Sequence, residues 1–315
     1  MSDNFKKILT VSAATITGMY CINRLIDHTT TSKNLLDDSK GTYYSSKQGN
    51  IFYTKYGKGT PVVLIHDFHP ASSGAEWDQL VKKLRHDHTV YTLDLLGCGR
   101  SDKPWITYTN YLYVQTLNEF IKNVIQKPTD VVATGFSGTF AIMAKAFENN
   151  FIKKVILVNP VSLSSCKEQP NVIKKAFKSI LEFPIIGTSL YNFLMNRTNI
   201  HIMFAEKYYY HSSLISSKLE NVYVESAHKS KSAGKYLLAS IKGSYLYADV
   251  SKAIRNLKNI YIISSREEKE NLSITKEYLK QNKNIEITHI SNSRYLPQQE
   301  VPEKFYDALS MFLNS

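Results

Sequence analysis

The sequence predicts an α/β domain: a doubly wound, mostly parallel sheet with an inserted helical cap. Three observations carry that expectation. Short continuous apolar runs such as Pro61-Val62-Val63-Leu64-Ile65 recur along the chain, and runs of this kind suit strands buried on both faces of a parallel sheet. Each run is followed by a helical stretch, the rhythm that right-handed crossovers produce. The rhythm stops between residues 162 and 247, where the chain reads as helical, lysine-rich and polar-aromatic, and resumes at Ile260.

The elements follow in order. Thr42–Ser46 and Ile51–Tyr56 flank Gln48-Gly49-Asn50 and read as a hairpin. Strands are expected at Pro61–Ile65, Thr89–Leu93, Asp130–Ala133, Lys154–Val158, Ile260–Ile263 and Ile285–Ile290. Helices are expected near Glu76–Leu84, Tyr111–Ile125, Ser137–Glu148, Ile274–Lys280 and Pro302–Leu313. The organisation is then a core of residues 42–161 and 248–315, a cap of residues 162–247, and an N-terminal segment of residues 1–41.

That N-terminal segment has a character of its own. Lys6 and Lys7 precede a 15-residue apolar run, Ile8–Ile22, shorter than the ~20 residues that a spanning helix needs. It reads as a short membrane anchor extending over residues 8–26, with a cleaved signal or a packed peripheral helix as the alternatives. As an anchor, its flanking lysines favour a cytoplasmic N-terminus and place the domain outside the cytoplasm; as a packed helix, it leaves the chain cytoplasmic. Residues 27–41 read as a tether.

Composition narrows the function classes. With 39 Lys+Arg against 27 Asp+Glu, the net charge is +12, but the lysines are scattered and no nucleic-acid motif accompanies them. No nucleic-acid partner is expected. Cys21, Cys98 and Cys166 are too widely spaced for a disulfide framework or a metal cluster. Neither a metal nor another cofactor is expected.

Three local patterns carry chemistry. Thr134-Gly135-Phe136-Ser137-Gly138-Thr139 follows a buried strand and opens a helix. A serine on a sharp strand-to-helix turn with small residues two positions either side is a nucleophile elbow, which makes Ser137 the candidate nucleophile and the Gly138 N–H an oxyanion donor. Leu64-Ile65-His66-Asp67-Phe68 ends the Pro61–Ile65 strand, and Asp94-Leu95-Leu96-Gly97-Cys98-Gly99-Arg100-Ser101 follows the Thr89–Leu93 strand. Together these patterns resemble the α/β-hydrolase superfamily in its helical-cap branch of small esterases, haloperoxidase-like enzymes and epoxide hydrolases.

The resemblance covers residues 42–315. It implies a second oxyanion donor at the Phe68 N–H, with Asp67 standing where the family has Gly. It implies a structural role for His66 and for the Asp94 turn. The triad acid is expected after the strand that follows the cap, at Glu268, with Glu267 the alternative. The expected partner is a small apolar ester-like or other small-molecule ligand.

The family's closing motif, His-x-Pro-x-x-Glu-x-Pro-Glu, matches Tyr295-Leu296-Pro297-Gln298-Gln299-Glu300-Val301-Pro302-Glu303 at every marker except the first. Tyr295 therefore stands in the histidine's place. A phenol with a pKa near 10 is ionised about once in a thousand molecules at pH 7, a cost of about 4 kcal/mol before any chemistry, and a neighbouring Glu268 raises it. Ester hydrolysis is expected to be weak or absent. The alternatives are a non-catalytic protein binding a ligand or partner, or an enzyme that uses a different base such as His69.

Overall fold

The computed structural model describes residues 3–147 and 150–315. Eight strands form one sheet: β1 (Thr42–Ser46), β2 (Gly49–Tyr56), β3 (Thr60–Ile65), β4 (His88–Leu93), β5 (Thr129–Thr134), β6 (Ile152–Val158), β7 (Ile260–Ser265) and β8 (Glu286–Ile290). Their order is β1-β2-β4-β3-β5-β6-β7-β8. The first hairpin pairs antiparallel, as does β2 with β4; every pairing beyond is parallel. The expected doubly wound, mostly parallel sheet is the one observed.

Alternation along the central strands explains how both faces are covered. Val63, Ile65, Val131, Ala133, Val155 and Leu157 face one core, which is closed by α3 (Asn110–Phe120), α4 (Ser137–Phe147), α10 (Ser251–Asn256) and α11 (Lys269–Gln281). Val62, Leu64, Val132, Ile156 and Val158 face the other, which is closed by α2 (Asp78–Leu84) and α13 (Pro302–Asn314). With both faces buried, no polar face interrupts the apolar runs. The Glu148 end expected for α4 lies outside the described residues.

The cap consists of α5 (Val172–Glu182), α6 (Ile186–Leu194), α7 (Arg197–Met203), α8 (Ser217–Ser232) and α9 (Lys235–Lys242) around its own cluster of Leu181, Tyr191, Phe204, Tyr208 and Tyr223. A short α12 (Pro297–Glu300) follows β8 and packs against α2 and α13. Glu300 joins the two layers: its carboxylate accepts from the Tyr210 and His211 amides of the cap at 2.9 and 2.7 Å, and from the Arg294 amide at 3.0 Å.

The N-terminal segment departs from expectation. It forms one helix, α1 (Asp3–Thr31), which continues past the apolar run into the first residues of the region read as a tether. Asn23 and Asp27 on its C-terminal part are buried against the cap. The Asn23 amide donates to Ile185 O at 3.1 Å and accepts from Asn192 at 3.0 Å, and Asp27 accepts from Ser232 at 2.5 Å. Beyond the helix, the Leu35 and Leu36 amides donate to the Glu225 carboxylate. Polar side chains that look like linker composition in the sequence are thus the groups that dock the helix. No described helix is long and apolar enough to cross a membrane.

Candidate active site

The loop after β3 is set by His66. Its ring is fully buried; Nδ1 pairs with Asp67 O at 2.8 Å and Nε2 accepts from the Leu95 amide at 3.0 Å. Because Nε2 accepts, the proton sits on Nδ1 and donates to Asp67 O. Burial pushes the imidazole down to about 4, so this ring is a neutral brace. Asp94 braces the neighbouring turn. Its carboxylate receives Arg100 Nε at 2.7 Å, Arg100 Nη2 at 3.0 Å, the Arg100 amide at 2.8 Å and the Gly74 amide at 2.6 Å. Cys98 in that turn is buried, and desolvation raises its thiol to about 12, far from a reactive thiolate.

The turn between β5 and α4 differs from the expectation in register. Its left-handed residue is Gly135, with φ +55°. A Cβ built on Gly135 would lie 1.8 Å from Tyr295 Oη and 2.8 Å from Asp67 Oδ1. The strained apex that aims a side chain into the crevice is therefore residue 135, and it carries no side chain. Ser137 lies two residues further on, fully buried at the start of α4, and its Oγ donates to His66 O at 2.6 Å. The Gly138 amide, expected as an oxyanion donor, donates within the turn to Gly135 O at 3.3 Å. The sequence permits both registers, because Ala133 and Ser137 are small residues two positions either side of Gly135 just as Gly135 and Thr139 are around Ser137. Residue size does not separate the two; the positive φ at Gly135 does.

The donors of this turn face an internal acceptor. Asp67 Oδ1 accepts the Phe136 amide, one residue past the apex, at 2.8 Å. The nearby Phe68 and Ser137 backbone also favours the charged form of this carboxylate. On the opposite side, Tyr295 Oη donates to Asp67 Oδ2 at 2.5 Å. Burial dominates these contacts and raises the Asp67 pKa. Burial and the facing carboxylate raise Tyr295 well above its ordinary value, so its hydroxyl stays protonated. Tyr208 from the cap stacks on Tyr295, with ring centroids 5.4 Å apart at 13°.

The remaining candidates are spread around this core. His69 lines a cavity with Asp67, Phe68 and Tyr295; its Nδ1 accepts from the Ala71 amide at 3.2 Å, and burial with Lys242 and Lys207 nearby pushes it down to about 4. It makes no hydrogen bond to Ser137, whose Oγ is engaged by His66 O. Glu268 lies half-buried just before α11 and lines a second cavity together with Tyr295, but the Tyr295 hydroxyl bonds Asp67 instead. Glu267 receives the Asn292 amide at 2.7 Å and the Ser293 amide at 3.4 Å, holding the loop after β8.

Glu76 was not singled out in the sequence. It is wholly buried and accepts from Thr134 Oγ1 and Gln298 Nε2, each at 2.7 Å. Burial, reinforced by Asp67, lifts its carboxyl to about 8. A single glutamate in an amphipathic stretch has no sequence signature that separates it from a solvated one. Among the described residues no three His, Cys, Asp or Glu side chains converge as a metal-ligand set.

Comparison with known proteins decides the family. The model of the "Alpha/beta hydrolase family" matches residues 62–267. The chain belongs to the alpha/beta hydrolase family. Within and near this family, it is 27% identical over 113 residues to the 2-hydroxy-6-oxo-6-(2'-aminophenyl)hexa-2,4-dienoic acid hydrolase of Metapseudomonas resinovorans. That match spans 35% of this chain and only 39% of the relative's length. The solved meta-cleavage product hydrolase CumD of Pseudomonas fluorescens IP01 superposes with a TM-score of 0.70 at 17% identity, over 87% of this chain and 97% of that one. The Cif epoxide hydrolase of Acinetobacter nosocomialis superposes with a TM-score of 0.68 at 18% identity, over 93% of this chain and 96% of that one. At such identities the alpha/beta hydrolase likeness of these two structures is one of fold.

Proposed function

We propose that this alpha/beta hydrolase-family protein does not hydrolyse esters and uses its cap-covered crevice to bind a small, largely apolar ligand. The observation that carries the reading is the Asp67 carboxylate. It occupies the amide of the residue after the elbow apex, the group that in this fold receives the oxyanion of an acyl-transfer intermediate. A second anion cannot share that donor, and an ionised Asp67 repels one that approaches.

Two further features support it. The apex is Gly135, so no hydroxyl is aimed at a bound carbonyl. The residue opposite, Tyr295, is a donor held protonated rather than a base. Ser137, the candidate nucleophile, is tied down behind the turn, and His69, the alternative base, has no hydroxyl to activate.

What remains is a container. A cavity of about 490 Å³ lies between core and cap, with Phe68, Leu194, Met195, Met203, Leu238 and Ile241 among its walls. Methionine and leucine walls adapt to apolar ligands. The test is p-nitrophenyl acetate and butyrate turnover together with fluorophosphonate labelling of the full chain. Turnover at the buffer rate and no label are expected. Labelling that disappears in Ser137→Ala would overturn the reading.

A further inference from the structure

α1 exposes apolar side chains along most of its length. Every residue from Asp3 to Gly18 is exposed, including Phe5, Ile8, Leu9, Val11 and Ile16. The apolar side chains run on through Tyr20, Ile22 and Leu25. A helix that shows apolar groups along such a length is built to be covered.

At the foot of this stretch is a pocket of about 340 Å³ between α1 and the cap. Lys33 and Arg197 both line it, and no carboxylate does. Neither cation is paired with a carboxylate among the described residues. The Asn221 amide and His228 share the lining. His228 is 1% exposed; its Nδ1 pairs with Val224 O at 2.8 Å and its Nε2 has no partner. With Nδ1 donating to a carbonyl, Nε2 is a lone-pair acceptor that lacks a donor. The lining therefore offers two positive charges and hydrogen-bonding groups that match an anion carrying a hydroxyl.

Position along the helix links the two features. Ile26 of the pocket lies four residues beyond Ile22, about 6 Å along the axis. An apolar stretch with an anion-receptive pocket within about a turn of it sets side by side the two kinds of contact that an anionic lipid makes. Lys6, Lys7 and the net charge of +12 favour a negatively charged surface.

We propose that the pocket between α1 and the cap receives a hydroxyl-bearing phosphate, the glycerophosphate head group of an anionic lipid, while the exposed part of α1 lies against the bilayer surface without crossing it. This site is separate from the crevice around Asp67 and does not depend on the reading given for that crevice.

The experiment is flotation of the full chain with phosphatidylcholine vesicles, with and without phosphatidylglycerol. Thermal shift with soluble glycerol 3-phosphate runs alongside it. Binding that requires phosphatidylglycerol is expected. It should fall by about tenfold or more in Lys33→Ala/Arg197→Ala, since each cation near an anionic surface contributes about 1 kcal/mol. A control, Lys47→Ala/Lys127→Ala, removes two exposed lysines outside the pocket and should float like wild type. Ile8→Ser/Ile16→Ser should weaken flotation and leave the glycerol 3-phosphate shift unchanged. Equal losses in the pocket and control variants would reduce the effect to bulk charge and overturn the proposal. A glycerol 3-phosphate shift without flotation assigns the pocket to a free phosphate and overturns the lipid. No binding to either probe, or a stable dimer through α1 in place of flotation, overturns both parts.

Discussion

Tyr295 and Asp67 are joined by a 2.5 Å hydrogen bond from phenol to carboxylate, and the other oxygen of that carboxylate holds the Phe136 amide at 2.8 Å. One side chain thus bridges the elbow turn and the residue that faces its apex. The bridge determines what substitutions at this site should do.

Gly135 is the position most sensitive to size. Gly135→Ala combines left-handed strain of about 1–2 kcal/mol with overpacking of about 1–3 kcal/mol, because the new Cβ meets Tyr295 Oη. Chemical denaturation should show a loss of about 2–5 kcal/mol. The loss should shrink when Tyr295→Phe is added, since that removes the atom struck. An unchanged midpoint for Gly135→Ala would place the apex elsewhere.

Hydrolysis should require three changes at once. Gly135→Ser supplies a hydroxyl at the apex, Tyr295→His a base and Asp67→Gly an open oxyanion site. Groups that act as a catalytic unit are strongly non-additive, so each single variant should match wild type and buffer in p-nitrophenyl butyrate turnover. The triple variant should exceed them. Activity in Tyr295→His alone would mean that Ser137 is the nucleophile after all.

Glu76 should impose a pH dependence on stability. Its carboxyl keeps its proton up to about pH 8 in the folded chain, against 4.5 when unperturbed. Between those values the folded state binds more protons than the unfolded one, so its contribution to stability falls as pH rises. Glu76→Gln removes the titration and keeps an acceptor for Thr134 and Gln298. The stability of Glu76→Gln relative to wild type should therefore increase from about pH 4.5 to about pH 8 and level off above. His66 and His69, both pushed down to about 4, act in the opposite direction at lower pH and cancel in the comparison. A difference that is flat with pH counts against a buried, protonated Glu76.

Asp94 should be indispensable for folding. Its removal leaves Arg100 buried without its partner, and the Gly74 and Arg100 amides without an acceptor. Breaking a buried pair on one side costs about 3–5 kcal/mol. Asp94→Ala should lower the thermal midpoint sharply while Cys98→Ala, in the same turn, changes it far less.

Much of this architecture was legible in the residues. Val62–Ile65 and Val131–Ala133 announce two-sided burial because nothing polar interrupts them. Pro297, Glu300 and Pro302 located Tyr295 through the resemblance to the family's closing motif, and in the fold the two prolines open helices while Glu300 joins the layers. The elbow register was not legible. Spacing rules see only size, and small residues flank both Gly135 and Ser137; the backbone angle that separates them is a property of the folded turn. The direction of Asp67 was likewise hidden, since a side chain's aim depends on which amides the fold leaves unpaired. The docking of α1 was only one alternative in the sequence, because Asn23 looks like an interruption of the apolar run and Asp27 like part of a tether until their cap partners are in place.

Satisfying the elbow amide from within has a mechanical consequence. An open anion hole must be kept hydrated or filled by a visitor, and its walls are free to breathe between visits. Here the loop after β3, the elbow and the chain after β8 are pinned by a single carboxylate, which serves as a keystone. That end of the crevice should therefore hold one shape whether or not anything occupies it, and adaptation to a ligand is left to the methionine and leucine walls.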